Sequence, residues 1–419
     1  MQTVEIVASP SGSRQESQPD SPGLGKQFWR LFVVCLSFDV GFGLYFFLIN
    51  LYLAQLHMGE KAIGMVAGAL TIGNVAATIP TGLLARRVGL RPILLFAFLA
   101  APLLAAARIA APQPALQLLL AFAQGIAMCS YTVSFSPAIA AFTSSRNRTV
   151  AFSIMFGTGI GSGVLGGLAG GQGPEWLRHL YPSLGLRGGM AYVLLGGCII
   201  AGVGALPLLR LRFPHIPASD PSPIRGMYTP FLLRFMSMVA VWNLAIGVIA
   251  PFASLYLAGP MHLALPRVGA VFSASQLLQV TGILAVPALY RRIGQARGIA
   301  LLQAAAAACL LLLFGTHRVA WVIGEYLCLA AFQYMCNPAI YGLLMDRMDE
   351  QLRASASAVQ NLVSCCAVAG ASLLGGIVIS RFSYAQLFLI SSGFSFAASA
   401  LTWFVTRFEV GASAPARNL

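Results

Sequence analysis

The sequence predicts an all-α membrane protein with twelve transmembrane helices in two pseudo-symmetric six-helix bundles. Three observations support this: the composition, a series of long uncharged stretches, and an internal repeat. The chain is 58% hydrophobic and only 9% charged, whereas a soluble domain carries about 25% charged residues. This composition excludes a soluble globular enzyme, and its excess of apolar residues also excludes a disordered chain.

Twelve apolar stretches between charged residues are long enough to span a bilayer, because a transmembrane helix needs about 20 residues. The stretches are too long for transmembrane strands, which favours helices. A Pro-Gln-Pro turn at residues 112–114 separates the third stretch from the fourth. The predicted spans are 29–56, 62–85, 92–111, 114–141, 149–170, 188–209, 230–257, 268–290, 298–316, 319–345, 354–380 and 383–406.

The regions outside the spans divide the chain into two bundles. Residues 1–28 are rich in Ser, Pro, Gln and Gly, and we expect a disordered cytoplasmic tail rather than a signal peptide. The bundles comprise 29–209 and 229–407. A polar linker with four prolines, 210–228, joins them on the cytoplasmic side, and a second cytoplasmic tail covers 408–419.

The basic residues indicate the orientation of the chain. With twelve spans, 19 of the 26 Lys and Arg residues fall on the side that carries both termini, and seven fall on the other. Since cytoplasmic loops are enriched in Lys and Arg, both termini are predicted to be cytoplasmic. Orientation then explains the net charge of +14 without a nucleic-acid partner. We expect a monomeric, multi-pass protein of a bacterial inner membrane.

The two halves repeat each other in the same order. Residues 51–54 (Leu-Tyr-Leu-Ala) are identical to residues 255–258, and residues 86–89 (Arg-Arg-Val-Gly) align with residues 291–294 (Arg-Arg-Ile-Gly). Five such matches occur at offsets between 201 and 209. Two like-oriented six-helix bundles are the design of transporters that rock two halves about a central site.

The loop after the second span carries a recognisable motif. Residues 82–92 read Gly-Leu-Leu-Ala-Arg-Arg-Val-Gly-Leu-Arg-Pro, which resembles the Gly-x-x-x-Asp-Arg-x-Gly-x-Arg signature of the major facilitator superfamily. Gly82, Arg87, Gly89 and Arg91 match, whereas Arg86 replaces the acidic residue. The resemblance extends over nearly the whole chain and implies that spans one, four, seven and ten line a central cavity.

Two acidic residues lie inside spans, Asp39 in span one and Glu325 in span ten. An ionisable side chain at this depth costs about 2.5–3.5 kcal/mol on insertion scales and normally faces the bundle interior or water. We predict that Asp39 exchanges the coupling proton or contacts a cationic group. The alternative is a structural acid held by a neighbouring polar side chain. For Glu325, the alternative is snorkelling to the interface.

The remaining candidates describe a cavity with aromatic walls and a few hydrogen-bonding groups. Asp39, Gly43, Phe46 and Asn50 form one helical stripe, and Asn243 is the repeat partner of Asp39. We expect Arg108 to snorkel rather than to bind substrate. The predicted proton-coupling and cavity residues are Asp39, Asn50, Gln124, Tyr131, Trp242, Asn243, Glu325, Gln333 and Asn337.

The basic signature loop suggests a cytoplasmic gate. In the resembled family, the acid that is missing here helps a charge network to close the cytoplasmic side. We predict that Arg86, Arg87 and Arg91 pair across the interface with the acids between spans ten and eleven; the alternative is solvated loop charge, which contributes little. Gly82 and Gly89 complete the predicted gate, whose acids are Asp346, Asp349 and Glu350.

The sequence offers no support for catalysis or for a cofactor. The eight Cys lie in apolar stretches without metal-ligand spacing, and no Ser/His/Asp or His-Glu-x-x-His arrangement occurs. Glycine-rich stretches lack the following Lys-Ser/Thr of a phosphate loop. One of them, residues 157–167, resembles the glycine motif of antiporters in the family but lacks its proline, so we interpret it as close helix packing.

These observations together predict a secondary transporter that alternates access to a central site, driven by protons. We expect export of a small amphipathic organic compound, with proton-linked uptake of a small metabolite as the alternative. A membrane-embedded enzyme, such as a lipid acyltransferase, would need a catalytic His with an acidic partner, which the sequence does not offer. A transport-dead sensor is a further remote alternative.

Overall fold

The computed structural model describes residues 24–144, 147–211, 213, 229–348 and 352–410. Within these ranges the chain is helical, and twelve helices are long and apolar enough to cross a membrane. The twelve-span, two-bundle prediction is confirmed. The helices are α1 Lys26–Gln55, α2 Glu60–Val88, α3 Leu90–Ile109, α4 Pro114–Ala141, α5 Arg148–Leu180, α6 Gly185–Val203, α7 Pro230–Ile249, α8 Leu265–Ile293, α9 Gln295–Gly315, α10 Val319–Arg347, α11 Arg353–Arg381 and α12 Tyr384–Val410.

Two helices differ from the predicted spans. Helix α5 continues to Leu180, ten residues beyond the predicted end. In this extension Arg178 pairs with Glu175, one turn away, at 2.7 Å. Helix α7 stops at Ile249, and a short helix, Ala253–Ala258, follows. The break lies next to Pro251, which has no backbone N–H to continue the helical hydrogen bonds.

Each half packs its helices in the same way. Helix α1 packs against α5 and α6, as α7 packs against α11 and α12, and α2 packs on α4 as α8 does on α10. The connection between α2 and α3 turns at Gly89 with φ of 84°, and the equivalent connection between α8 and α9 turns at Gly294 with φ of 86°. A backbone with positive φ favours glycine, so the repeated Arg-Arg-x-Gly segments make the same turn twice.

The two halves meet through two helix pairs, α2 with α11 and α5 with α8. On α2, a Cβ at Gly64 would press against the Ser372 carbonyl of α11. On α5, a Cβ at Gly167 would meet Ser273 and lie 2.9 Å from the carbonyl oxygen of Gly269 on α8. Small residues allow this close backbone approach. The contacts lie at the membrane face opposite the two termini, which we call the sealed end.

Further contacts between the two halves close the sealed end. The Asn50 amide of α1 donates to the Pro251 carbonyl at 3.0 Å, and the Ser273 hydroxyl donates to the Val164 carbonyl at 2.8 Å. The rings of Phe47 and Phe272 lie 5.2 Å apart. Each of these contacts joins one half to the other, so the seal combines apolar packing with hydrogen bonds to backbone carbonyls.

The same helix faces separate toward the other membrane face, the open end. On each of these helices, the residue eleven positions toward the open end lies on the same face. From Gly68, Gly167 and Ser273 these residues are, respectively, Ile79, Phe156 and Leu284. These three side chains are 71%, 57% and 75% exposed. Because residues three turns apart share one face of a helix, faces that are buried in the seal become accessible further along. A cleft between the halves therefore opens toward the face that carries the termini.

We predict that Gly167→Val weakens the seal. Its side chain would meet Ser273 and the Gly269 carbonyl, and packed backbone cannot yield without separating the helices. Spin labels at His179 on α5 and Arg267 on α8, in a cysteine-free background, should report longer distances by double electron–electron resonance.

Gly161→Val is the matched control, because no atom outside its own helix backbone lies within 4 Å of a Cβ built at Gly161. Distance distributions that coincide for the two variants would contradict the role of Gly167 in closing the sealed end.

Candidate functional site

Asp39 lies near the middle of α1 and is partly buried. The Tyr131 hydroxyl of α4 donates to its Oδ1 at 3.0 Å. The tyrosine ring is fixed by neighbouring aromatic rings, with centroids 4.3 Å away at Phe38 and 5.6 Å away at Phe135. Sequence reasoning named both Asp39 and Tyr131, and the structure brings them together through a rigid aromatic cluster.

The other carboxylate oxygen of Asp39 faces a gap in α5. Its Oδ2 lies 3.7 Å from the position that a Cβ on Gly159 would occupy. In the second half, the repeat partner Asn243 on α7 donates to the Ser364 hydroxyl of α11 at 3.2 Å and to the carbonyl of Val239. Gly159 and Ser364 lie on equivalent helices of the two halves, α5 and α11. In the second half, therefore, the side chains of Asn243 and Ser364 bond each other, whereas in the first half one carboxylate oxygen of Asp39 lies beside a glycine.

Arg108 is buried, contrary to the expectation that it snorkels: its side chain is 2% exposed. Its Nε donates to Gln117 Oε1 at 3.0 Å and its Nη1 to Gln124 Oε1 at 2.7 Å, both on α4. The guanidinium also lies 5.9 Å from the ring centroid of Tyr45. In return, Gln117 Nε2 donates to the carbonyls of Arg108 and Ala111, at the end of α3. A charged group can remain inside a bundle when several polar groups satisfy it.

This cluster also assigns Gln124 a place away from the cleft. Gln124 is fully buried, and its carbonyl oxygen is used by Arg108. A sequence signal for the cluster exists, since Gln117 and Gln124 are seven residues apart on one face of α4. Tyr45 and Tyr52 of α1 complete the attachment by donating to α3 carbonyls at 3.2 and 2.9 Å. The polar groups thus fasten α1, α3 and α4 together.

The stripe that begins at Asp39 runs from the cleft into the seal. Gly43 packs against α5, where its Cβ would lie 2.9 Å from the Ser162 carbonyl oxygen. Phe46 and Asn50 line a cavity of about 60 Å³ together with residues from the short helix Ala253–Ala258, α8 and α10. Asn50 is bonded to the opposite half. In this conformation Asn50 therefore belongs to the seal that ends the cleft.

The second half places its predicted residues at different depths. Trp242 is 1% exposed, equivalent in the repeat to the equally buried Phe38, so its ring packs inside the bundle rather than lining the cleft. Gln333 and Asn337 on α10 are partly buried, and Gln333 Nε2 has no hydrogen-bond partner among the described residues. Tyr334, beside them, is 42% exposed. These α10 groups supply neutral hydrogen-bonding partners in the second half.

Glu325 lies in the part of α10 nearest the sealed end and is partly buried. The Thr316 hydroxyl donates to its Oε1 at 3.1 Å, whereas its Oε2 has no hydrogen-bond partner in the described parts of the chain. In the alignment of the two halves, Glu325 corresponds to Gln124. Both are polar groups on the fourth helix of their bundle, each held by a group from the preceding helix or loop.

The predicted gate residues lie at the open end. Arg87 and Asp346 are exposed, and the Arg91 guanidinium bonds the Leu209 carbonyl within its own half. Gly82 has open space beside it, and Gly89 makes the turn into α3. Arg86 lies exposed at the end of α2. The predicted partners Asp349 and Glu350 lie outside the described residues.

The described residues contain no group of three or more His, Cys, Asp or Glu that could hold a metal ion. All eight cysteines are free thiols. The chemistry of the site is therefore that of a carboxylate, a phenol, amides and aromatic rings.

Comparisons with known proteins agree with this geometry. Residues 31–372 match the family model of the Major Facilitator Superfamily, while the curated proteins gave no match. The fold is similar to the crystal structure of the nucleoside transporter NupG, with 14% identity, a TM-score of 0.73, and coverage of 91% of this chain and 100% of that one.

A bacterial homolog of the human lysosomal transporter Spinster is also similar. Its inward-facing, occupied structure has 14% identity and a TM-score of 0.74, covering 93% of this chain and 98% of that one. Its inward-facing, unoccupied structure has 15% identity and a TM-score of 0.75, with coverage of 94% and 100%. At these identities, the likeness establishes the fold.

We predict that Gly159→Ser impairs the site. The new hydroxyl would lie beside Asp39 Oδ2 and bond it, as Ser364 bonds Asn243 in the other half. A hydrogen bond to a charged group contributes about 1.5–3 kcal/mol, so a cargo or proton that competes for Asp39 should be bound or transported roughly tenfold less well.

The measurement is transport or ligand binding with purified protein, and Gly161→Ser, with open space around it, is the control. Equal losses in both variants would mean that the added hydroxyl acts on the helix and not on Asp39.

Proposed function

The chain belongs to the Major Facilitator Superfamily, and from this premise we propose that it is a secondary active transporter that exports a small amphipathic organic compound in exchange for protons. Membership and fold point to a membrane transporter rather than an enzyme. In this proposal the two halves rock about the cleft, which is exposed alternately to each side of the membrane.

One observation carries the coupling proposal: Asp39 is an acid within a span that is only partly buried, with one oxygen held by Tyr131 and the other beside Gly159. An intramembrane carboxyl that water reaches from one side is a site where a proton can bind and leave. Tyr131 orients the carboxyl, and the gap at Gly159 leaves Oδ2 free to face a proton or a cationic cargo.

The cargo proposal follows from the walls of the cleft. Exposed apolar side chains face it at Ile79, Phe156 and Leu284. The first half offers the Asp39 carboxyl and the second the amides of Gln333 and Asn337, a combination suited to a small organic compound with one basic group. Proton-linked uptake of a metabolite is the alternative. A nucleoside transporter and a Spinster homolog share the fold, which supports transport without choosing between these cargoes.

The charge distribution supports an orientation for the cleft. Nineteen of the 26 basic residues lie on the side of the termini, so we place the open end in the cytoplasm. The structure would then correspond to an inward-open state of a monomer in a bacterial inner membrane. An exporter in this state would load cargo from the cytoplasm or from the inner leaflet.

We predict that Asp39→Asn abolishes proton-linked transport and leaves the protein folded, because asparagine keeps the shape and the Tyr131 contact but cannot release a proton. The assay is cargo-dependent proton movement in liposomes that contain a pH-sensitive dye, with cargo first selected by thermal-shift screening at two pH values.

Glu409→Gln serves as the control, since it removes an acid at the end of α12 that has no part in the proposed mechanism. Undiminished proton-linked transport by the Asp39→Asn protein would remove Asp39 from the mechanism.

We also propose that Arg86, Arg87 and Arg91 pair with Asp346, Asp349 and Glu350 when the open end closes. Closing brings the ends of α2 and α10 toward each other, and a network of charges can then hold the halves. In this open state, Arg91 instead bonds a carbonyl of its own half.

Exchanging the charges at Arg86 and Asp349 tests the pairing. Either Arg86→Asp or Asp349→Arg alone should reduce transport, and the double variant should recover it, measured in the same liposomes. A double variant no better than the single ones would argue against this pair.

A further inference from the structure

A second cavity lies at the sealed end, well away from Asp39. It has a volume of about 370 Å³, within the range of small-molecule sites. Leu51 and Ala54 of α1 line it, and Leu51 is twelve residues beyond Asp39, a rise of about 18 Å along the helix. We call this cavity the vestibule.

Both halves build the vestibule. The first half contributes the end of α1, the start of α2, and parts of α5 and α6, and the second contributes the short helix after α7, the following loop, the start of α8 and the start of α12. Its apolar walls are firmly packed: Met190, Leu255 and Leu265 are 3%, 7% and 6% exposed. A pocket with these walls favours a ligand with an apolar body.

The charged residues that line the vestibule are acidic. Seven basic and three acidic residues lie on the sealed side of the chain. Two of the three acids, Glu60 and Glu175, line the vestibule, whereas none of the basic residues is among its described lining residues. Because Glu175 is already paired with Arg178, the Glu60 carboxylate supplies the net negative charge of the cavity, which favours a cation.

The polar lining suits an ammonium group in particular. Glu175 is held in place by an ion pair with Arg178, 2.7 Å away, whose own side chain is 46% exposed. The Tyr384 ring also lines the vestibule. Its position is fixed by the Tyr256 ring, whose centroid lies 5.3 Å away. Carboxylates together with an aromatic face form the environment that binds quaternary ammonium ions.

We propose that the vestibule binds a small organic ammonium ion with an apolar substituent. Glu60 and Glu175 neutralise the charge, Tyr384 contacts the ammonium methyl groups, and the leucine and methionine walls cover the substituent. Because both halves line the vestibule, the ligand contacts them simultaneously and stabilises the closed seal. The proposal rests on this cavity and does not depend on proton coupling at Asp39.

The test is isothermal titration of the purified full chain with benzyltrimethylammonium, and with benzenesulfonate as a probe of similar size and opposite charge. Glu60→Gln together with Glu175→Gln should weaken benzyltrimethylammonium binding by at least about tenfold. Ala258→Phe fills the vestibule without changing its charge and should abolish binding. Glu409→Gln, which removes an acid at the end of α12, is the matched control and should bind as the unaltered protein does.

An Asp39→Asn protein distinguishes binding in the vestibule from binding in the cleft. Unchanged benzyltrimethylammonium affinity in this variant supports the vestibule, whatever the outcome of the transport assays. The proposal is overturned if the probe does not bind at millimolar concentrations, if the double glutamine variant and Ala258→Phe bind it normally, if Asp39→Asn alone abolishes binding, or if benzenesulfonate binds equally well.

Discussion

The cost of a charge inside the bilayer governs this molecule. A chain with 9% charged residues can place its charges only at the membrane faces or where protein groups satisfy them. Asp39 meets this condition through the Tyr131 hydroxyl, and Arg108 meets it through two glutamines. Each is held by a side chain of α4, so one helix fixes both the positive and the negative group of the first bundle.

The two bundles share a design and differ in chemistry. They repeat their helix pairings, their turns at Gly89 and Gly294, and their buried aromatic residues. The difference lies beside the equivalent residues Asp39 and Asn243: Asn243 bonds Ser364, while Asp39 faces Gly159. The neutral, hydrogen-bonded pair of Asn243 and Ser364 stabilises its bundle. The Asp39 carboxylate, with only a glycine beside one of its oxygens, is available to a ligand. This asymmetry places the proposed chemistry in the first half and leaves the second half to supply neutral contacts.

The seal connects this site to the opposite membrane face. Glycines on α2, α5 and α8 allow backbones to approach closely, and such contacts involve few flexible side chains, so they can separate and re-form with little reordering of side chains. Asn50 links the stripe of Asp39 to the seal. The vestibule lies directly beyond, where a bound ligand would contact the same two halves. Cleft, seal and vestibule thus lie in sequence between the halves.

The sequence by itself determined the number of helices and the two-fold repeat, because hydrophobic run length and repeated motifs are local properties of the chain. It also named Asp39 and Tyr131 as candidates, which the structure brings into contact. Asp39 was evident since an acid is rare in an apolar run. Tertiary structure alone decided that Arg108 is buried, that Trp242 is packed inside its bundle and that Asn50 belongs to the seal. It also brought Gly159 to Asp39, and Glu60 to a cavity shared with Glu175. These outcomes depend on which helix faces meet, and a helix that is apolar on nearly all sides carries little periodic signal to say which face is turned inward.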